Sequence, residues 1–249
     1  MQPASVVRMK ATKYVPGSGM KVPEGAKVFM FTRHGQGYHN LDENEKKYAF
    51  CEVYYAETGH CKDVPEFLLD PGLTELGVEQ TKALEKFTSK CDVQPEVVIV
   101  SPLRRTIQTA LNTFSHLVDG KNKMKVPFVA KTNSREKTGR NMWDKRRKLS
   151  EIKKDFPMID YSDIKSEEDD LWTSKRETAE QVAVRARKLM VELGSRKEKV
   201  IAICSHSGLL KQLFGQVLDH DEKDWATTFS TGEMRIACVQ SSQWPPAEA

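Results

Sequence analysis

Three short and uninterrupted apolar runs most constrain how this chain can fold. They lie at residues 28–31, 97–100 and 200–204 and show no alternation between apolar and polar positions. Runs of this length and composition are typical of strands that are buried on both faces of a sheet. Such strands occur in parallel sheets that helices cover on both sides, so the runs predict an α/β fold.

Segments with the spacing of helices separate these runs. Apolar residues recur at helical intervals in residues 74–90 and 103–117. A Ser-x-x-Glu capping box at 174–177 predicts the start of a third helix. Its predicted apolar face comprises Val182, Ala186, Leu189 and Leu193. Because strands and helices alternate, we expect βαβ units, with residues 126–130 and 234–239 as further strand candidates.

The two ends of the chain are predicted to lie outside the regular structure. Prolines and glycines interrupt every helical or strand period in residues 1–25, which we expect to form an irregular arm. Residues 26–240 form the predicted single α/β domain, with a mostly parallel central sheet flanked by helices. Residues 241–249 are predicted to be a loose tail, although the indole of Trp244 is a group that can pack back onto the domain.

Composition narrows the classes of function. The 39 basic and 35 acidic residues leave a net charge of +4, which is too small to indicate nucleic-acid binding and suits a small anionic substrate. No apolar run approaches the roughly 18 residues that a membrane span needs, and the N-terminal residues lack the apolar stretch of a signal peptide. The five cysteines form no CxxC pair. We therefore expect a reduced, cytoplasmic protein without a bound metal or cofactor.

Polar residues directly follow each of the three central strands. Arg33 and His34 follow the first, Arg104 and Arg105 lie just beyond the second, and His206 follows the third. Ligands of open parallel sheets bind at the carboxyl ends of the strands, so we expect these side chains to share one edge. Helix N-termini favour anions, and arginine presents a planar fork of donors that matches phosphate oxygens. The sequence therefore predicts a site for a phosphoryl group.

His34 has the chemistry of a nucleophile in such a site. Imidazole attacks when it is neutral, and its ordinary pKa lies near about 6.5. The neighbouring Arg33 helps to keep it neutral. A phosphoryl group bound by the arginines can be attacked in line, with His206 as a second donor to the same oxygens.

At this point the motifs resemble the histidine phosphatase superfamily, also called the phosphoglycerate mutase-like superfamily. Arg33-His34-Gly35 with Asn40 resembles its first motif, residues 101–110 its second, and residues 205–208 its third. The similarity covers about residues 26–240 and extends to the phosphoglycerate mutase-like proteins of plants and fungi. The additional similar segments are His39-Asn40, Arg135-Glu136, 144–147, 156–160 and 171–172.

The resemblance implies a role for each matching residue. His34 would become the phosphohistidine, and Glu136 would protonate the leaving oxygen and then help water to attack. Arg33, Asn40 and Arg105 would bind the phosphate oxygens together with His206. The implied partner is a small phosphorylated metabolite. A glutamate with an ordinary pKa of about 4.3 is almost fully ionised at neutral pH. Either burial or the bound dianion must therefore raise the pKa of Glu136, or the donor must bind its proton together with the substrate.

Two departures from the family's mutase pattern favour a phosphatase. The residues after Glu136 are Lys137 and Thr138 instead of the usual aromatic residue, and Gln36 replaces an acid. A mutase must also exclude water, and few residues follow the last predicted strand to form a closing tail. The alternatives that remain open are a phosphoglycerate mutase and a catalytically silent module that binds phosphate esters.

Several other polar residues have simpler interpretations. We expect Arg104 to lie at the surface and His39 to pack beside the site, and Asn40 also fits a turn. Asp144 with Arg146 and Arg147 fits a structural ion-pair cluster, with substrate contact as the alternative. The basic run 135–147 fits a solvated face or an entrance for anions. Residues 41–70 and 118–143 are expected to wall the entrance. The aromatic residues there that can stack on a substrate are Tyr48, Phe50, Tyr54, Tyr55 and Trp143.

Overall fold

The structure, a computed structural model, describes residues 8–41, 68–119 and 123–244. Its strands are β1 (Met9–Lys13), β2 (Lys27–Arg33), β3 (Val97–Val100), β4 (Phe128–Ala130), β5 (Val200–Ser205), β6 (Leu218–Asp219) and β7 (Met234–Gln240). Its α-helices are α1 (Glu75–Thr88), α2 (Arg104–Thr113), α3 (Leu149–Asp155), α4 (Ala179–Gly194) and α5 (Ser207–Gln212). Shorter 3₁₀ turns are Tyr38–Asn40, Ser115–Leu117, Thr132–Ser134, Met142–Asp144 and Lys223–Ala226, and a π turn, Leu213–Val217, follows α5.

The strands of the described residues form one seven-stranded sheet in the order β4-β3-β5-β2-β7-β1-β6. Strands β2, β5, β3 and β4 run parallel to one another, whereas β7 is antiparallel to both β2 and β1. The predicted mostly parallel sheet with flanking helices is therefore confirmed. In the register of the central strands, Arg33 pairs with Ser205 and Val100 with Cys204. The residues that follow these three strands consequently meet at one edge.

Both faces of the central strands are buried, which explains the absence of alternation in the sequence. Phe29 and Phe31 face a core formed with α4 and α5. Val28 and Met30, the alternate residues of the same strand, face a second core formed with α2 and α3. Each of these four side chains is at most 1% exposed, and full burial of such a side chain stabilises the fold by about 1.5–3 kcal/mol.

The prediction of an irregular arm over residues 1–25 is wrong for β1. Met9–Lys13 pairs antiparallel with β7 and parallel with β6, and Met9 and Ala11 are buried. Only Met9 and Ala11 of this strand are apolar, and the other three residues are exposed. The hydrophobic pattern is therefore too short to be recognised beside the prolines and glycines of residues 16–25.

Helix α4 begins four residues later than the predicted capping box. Thr178 is the N-cap, its hydroxyl accepts from the Gln181 N–H, and the Gln181 side chain accepts from the Thr178 N–H. Glu177, the expected partner in the predicted box, instead forms an ion pair with Arg185 at 2.9 Å. The adjacent segments 174–177 and 178–181 both fit the capping pattern, and the ion pair engages the Glu177 side chain that the first box would need. The predicted apolar face, Val182, Ala186, Leu189 and Leu193, is buried.

The predicted loose tail is packed against α4 as far as Trp244. The Trp244 side chain is 8% exposed, and its indole N–H donates to the Met190 carbonyl at 3.1 Å. Its ring lies 6.0 Å from that of Phe29. A side chain at Gly194 would collide with the indole, so glycine is required beneath it. Residues 245–249 lie outside the described residues.

The loop after β2 is packed directly onto the first turn of α1. A Cβ atom at Gly35 would lie 2.5 Å from the Gly77 carbonyl oxygen, and a Cβ at Gly77 would collide with the Gln36 carbonyl. Thr74, the N-cap of α1, donates its hydroxyl to the Gln36 side chain at 2.8 Å. Helix α1 therefore supports the backbone that carries His34. Across residues 8–41, 68–119 and 123–244, we find no helix with the length and hydropathy needed to cross a bilayer.

The variant Gly77→Ala is expected to lose about 1–3 kcal/mol of unfolding free energy, because the added methyl group would collide with backbone atoms of Gln36. Urea denaturation measures the loss. Gly215→Ala is the matched control, because Gly215 is exposed and a Cβ there meets nothing within 4 Å. The control is expected to be neutral or slightly stabilised. Equal stability of Gly77→Ala and the parent chain would contradict the tight contact.

Candidate active site

The edge where the central strands end brings the predicted histidines and arginines together. The imidazole rings of His34 and His206 lie 5.1 Å apart, and both residues are buried at 2% and 0% exposure. Arg105, in the first turn of α2, is also fully buried. The charges of Arg33 and Arg105 both act on the His34 ring. The sequence-based prediction of one shared site thus holds for these four residues.

The backbone fixes which nitrogen of His34 can react. Nδ1 lies 2.7 Å from the Gly35 carbonyl oxygen. A carbonyl only accepts hydrogen bonds, so in the neutral ring Nδ1 carries the hydrogen and Nε2 carries the lone pair. The segment is anchored further because the His34 N–H donates to the Ser205 carbonyl and the Gly35 N–H donates to the Thr109 hydroxyl, each at 3.0 Å.

The surroundings of His34 favour the neutral form of its imidazole ring. Burial, followed by the charges of Arg105 and Arg33, lowers the pKa of His34 well below its ordinary value. A neutral imidazole with a defined lone pair on Nε2 is the form that attacks an electrophile. The site therefore presents His34 in its nucleophilic state.

His206 has one ring nitrogen bonded and one unpartnered. Its Nε2 lies 2.8 Å from the Ser101 hydroxyl, which follows β3. Its Nδ1 is buried and has no hydrogen-bond partner among the described residues. Burial, and next the charge of Arg105, lowers the pKa of His206 well below its ordinary value. A buried polar atom without a partner is costly, and a bound anion would supply one.

Both arginines donate hydrogen bonds from the terminal nitrogens of their guanidinium groups to oxygen atoms of the protein. Arg105 donates from Nη1 to the Trp143 carbonyl at 2.6 Å and from Nη2 to Asp144 Oδ1 at 2.9 Å. Its Nε is buried and without a partner among the described residues. Arg33 donates from Nη1 to the Phe229 carbonyl at 2.7 Å. These bonds fix two cations beside His34.

Glu136 lies against the start of α5. Its carboxylate accepts from the Lys137 N–H at 2.7 Å and from the Gly208 N–H at 3.2 Å. Burial, and next the negative charge of Asp144, raises the pKa of Glu136 above its ordinary value. A side chain at Gly208 would collide with the Glu136 carboxylate, so the close approach requires glycine.

Arg185 of α4 holds the loop that carries Glu136. It donates to the carbonyl oxygens of Asn133, Arg135 and Glu136 at 2.8–3.0 Å. Its opposite side is neutralised by Glu177. Nothing in the sequence distinguishes this buried arginine from the exposed cations of an amphipathic helix, so sequence analysis missed it.

The residues next to His34 take packing and turn roles. The Asn40 side chain accepts from the Gly37 N–H at 3.0 Å, as expected for a turn residue. The His39 ring lies 5.5 Å from that of His34 and 6.4 Å from that of Trp143. His39 thus packs beside the site, and phosphate binding by Asn40 stays a prediction.

The predicted cluster of Asp144 with Arg146 and Arg147 is wrong. Asp144 pairs with Arg105 and Arg176, at 2.9 and 2.7 Å. Sequence proximity favoured the adjacent arginines, but the turn Met142–Asp144 directs the carboxylate towards α2 instead.

The other basic residues of the run 135–147 bind protein groups as well. Arg146 donates to the carbonyl oxygens of residues 166–168. Arg147 pairs with Glu151 at 3.6 Å, and Arg135 with Asp169 at 3.0 Å. These three arginines therefore serve the fold. Arg104, expected at the surface or the outer rim, is half-buried and pairs with Asp155 at 3.3 Å.

Some predicted features fall outside the described residues. In the part of the chain that the structure describes, no three His, Cys, Asp or Glu side chains are grouped to hold a metal ion. The structure does not describe four of the aromatic residues that were predicted to stack on a substrate: Tyr48, Phe50, Tyr54 and Tyr55.

Comparison with a family model decides the family. The model described as the histidine phosphatase superfamily, branch 1, matches residues 62–245. The chain belongs to the histidine phosphatase superfamily. The match lies beyond the Arg33-His34-Gly35 motif and includes the second and third motifs.

This member of the histidine phosphatase superfamily is similar to a phosphoglycerate mutase-like protein of Arabidopsis thaliana. The two are 32% identical, over 90% of this chain and 88% of the relative, which confirms the predicted resemblance to such plant proteins. Among solved structures, an α-ribazole phosphatase from Shigella flexneri has a TM-score of 0.52 at 16% identity, covering 89% of this chain and 100% of that one. A phosphoglycerate mutase from Bacillus anthracis has a TM-score of 0.53 at 16% identity, covering 88% and 93%. A phosphatase and a mutase thus share this fold equally well.

Proposed function

We propose that this superfamily member is a phosphatase that hydrolyses a small phosphate monoester through a phosphohistidine on His34, with Glu136 as proton donor. The observation that carries the proposal is the bond from Nδ1 of His34 to the Gly35 carbonyl. It leaves the Nε2 lone pair on a ring that is close to two guanidinium groups, the buried one of Arg105 and the half-buried one of Arg33. A neutral nucleophile beside cations fits a phosphoryl anion.

The first step transfers the phosphoryl group to the enzyme. Nε2 of His34 attacks phosphorus while the bond between phosphorus and the leaving oxygen breaks. The electron pair of that bond passes to the leaving oxygen, which takes the proton of the Glu136 carboxyl group. Arg33, Arg105 and the unpartnered Nδ1 of His206 bind the three remaining oxygens, and Asn40 adds a further contact.

The second step releases inorganic phosphate. The Glu136 carboxylate, now deprotonated, takes a proton from water as the water oxygen attacks phosphorus. The bond between phosphorus and Nε2 breaks, and its electron pair returns to the ring. The hydrogen bond from Nδ1–H to the Gly35 carbonyl stabilises the positive charge that the ring carries between the two steps. The chemistry uses protein groups alone, with no cofactor.

A mutase would differ only in where the phosphoryl group of the phosphohistidine goes. A mutase transfers it to a hydroxyl group of the bound organic molecule, whereas a phosphatase transfers it to water. The departures at Gln36 and Lys137 favour hydrolysis. Gln36 offers an amide that is bonded to Thr74, where a mutase usually has an acid.

The purified protein, incubated with 3-phosphoglycerate and with a panel of phosphorylated metabolites, tests this choice. We expect phosphate release to exceed isomerisation of 3-phosphoglycerate. Isomerisation faster than phosphate release would identify a mutase. Binding of phosphate esters with no turnover on any of them would identify a silent module.

The pH dependence of kcat/KM is expected to be bell-shaped for an alkyl phosphate. The rate rises as His34 loses its proton, through a pKa lowered by burial, Arg105 and Arg33. It falls as Glu136 loses its proton, through a pKa raised by burial and Asp144. p-Nitrophenolate leaves without needing a proton, so the alkaline limb should weaken with p-nitrophenyl phosphate. The ionisation of the phosphate group affects both substrates, whereas only the alkyl phosphate needs a proton on its leaving oxygen. Identical profiles for the two substrates would therefore contradict proton donation by Glu136.

A further inference from the structure

Asp144 is an almost fully buried carboxylate placed between two arginines. It is 4% exposed, and its Oδ1 accepts from Arg105 Nη2 at 2.9 Å. Its Oδ2 accepts from Arg176 Nη1 at 2.7 Å. The preceding residue, Trp143, accepts from Arg105 Nη1 through its carbonyl. The segment Trp143–Asp144 therefore binds both terminal nitrogens of the same guanidinium group.

This contact fixes how Arg105 faces the phosphoryl site. A guanidinium group offers a fork at its end, formed by Nη1 and Nη2, and a second pair of donors along its side, formed by Nε and Nη2. The end fork is engaged by Trp143 and Asp144. The side retains a buried Nε without a partner among the described residues. Because two bonds to one rigid segment set the plane of the group, its side donors are presented to an oxyanion in a fixed direction.

Asp144 also acts on the proton donor. The charged and polar groups that face Glu136 are the carboxylate of Asp144, the guanidinium of Arg105 and the N–H groups of Lys137 and Gly208. Arg185 of α4 binds the Glu136 carbonyl. Burial and Asp144 raise the pKa of Glu136, whereas the two N–H groups and Arg105 lower it. Asp144 is thus the negative charge that offsets these donors.

We propose that Asp144 is a positioning residue of this reaction: it orients Arg105 towards the phosphoryl group and adds a buried negative charge to the groups around Glu136. This inference rests on the proposed function. No atom of Asp144 is required to touch the substrate.

The charge role is tested by two variants with opposite expected effects. Asp144→Asn removes the negative charge, so the alkaline limb of kcat/KM for an alkyl phosphate should move down by about one pH unit. Arg176→Gln removes the cation that partly neutralises Asp144, so the same limb should move up. Arg176 has a side chain that is 27% exposed, and its replacement is compatible with folding, which thermal denaturation verifies.

The orienting role is tested by a double-mutant cycle with Arg105. Asp144→Ala is expected to reduce kcat/KM by about 100-fold in the parent chain, the size of effect that a small misplacement of a binding group causes. In the Arg105→Met background it should cost only a few-fold, because the group that it orients is absent. p-Nitrophenyl phosphate at high concentration keeps the double variant measurable.

Asp169→Asn is the matched control. Asp169 is as buried as Asp144 and pairs with Arg135 at 3.0 Å, but it does not contact Arg105. Its variant should lose comparable thermal stability and keep the parent pH profile. Equal losses from Asp144→Ala in both backgrounds, or pH profiles that neither charge variant moves, overturn the inference. If neither Asp144 variant folds, an unmoved Arg176→Gln profile alone overturns it. If only the inference about Asp144 fails, the parent enzyme still hydrolyses phosphate esters. If the proposed function fails, the parent enzyme hydrolyses none of them.

Discussion

The variant His34→Ala is expected to lose turnover by about 10⁴-fold or more, because it removes the atom that forms the covalent intermediate. The other phosphate ligands remain, so binding of inorganic phosphate should persist. Burial and the Arg105 and Arg33 charges lower the pKa of His34, and removal of the ring therefore takes away a neutral nucleophile and no positive charge. Loss of turnover with retained phosphate binding would show that His34 acts in the chemical step and is not needed to bind the substrate.

A trapping experiment gives this prediction a direct readout. The parent enzyme, mixed with ³²P-labelled substrate and quenched in alkali, should carry a label that acid removes, which is typical of phosphohistidine. His34→Ala should carry none. His116→Ala is the control, because His116 is half-buried, its Nε2 bonds Gln94, and it follows the C-terminal end of α2, whereas Arg105 is in the first turn of that helix. Turnover and labelling at parent levels in His34→Ala would reject the nucleophile.

The strands and the shared edge could be predicted from sequence because each depends on local signals. The runs at 28–31, 97–100 and 200–204 are short, apolar and followed at once by polar residues, and parallel strands bring their carboxyl ends to one edge whatever the helices do. The candidates His34, Arg105 and His206 follow from that rule. Their approach was expected from topology, and the 5.1 Å between the two histidine rings agrees with it.

The support of the site could not be predicted in the same way, because it depends on contacts between residues distant in sequence. Asp144 has two arginines close behind it in the chain, yet it pairs with Arg105, which lies 39 positions away, and with Arg176. Arg185 reaches back to the Glu136 loop across 49 positions. Contacts between residues so far apart in the chain depend on how the helices and strands pack together. A single sequence does not reveal that packing.

One buried cation links the electrostatics of the whole site. Arg105 contributes to the lowered pKa values of His34, His39 and His206, and it also opposes the rise in the pKa of Glu136. The same charge therefore keeps the nucleophile neutral and works against the protonated acid. Burial of the carboxyl group and the charge of Asp144 act on Glu136 in the opposite direction and raise its pKa.

Glu136→Gln should separate the two chemical steps. With an alkyl phosphate, kcat/KM is expected to fall by about 10²–10⁴-fold, because no proton reaches the leaving oxygen. With p-nitrophenyl phosphate the first step needs no proton and should continue, but the phosphohistidine then lacks the base that activates water. The variant should release p-nitrophenolate in a burst equal to the enzyme concentration and then turn over slowly.

Rapid-mixing absorbance measurements resolve that burst, and the ³²P label should accumulate on His34 during the slow phase. Glu198→Gln is the control, because Glu198 is a buried glutamate, 8% exposed and paired with Arg196 at 2.7 Å, remote from the Gly208 end of α5. It should behave like the parent. A Glu136→Gln enzyme that turns over both substrates at parent rates would assign the proton to another group. A variant that is slow on both substrates without a burst would confine Glu136 to the phosphoryl-transfer step and leave water activation to another residue.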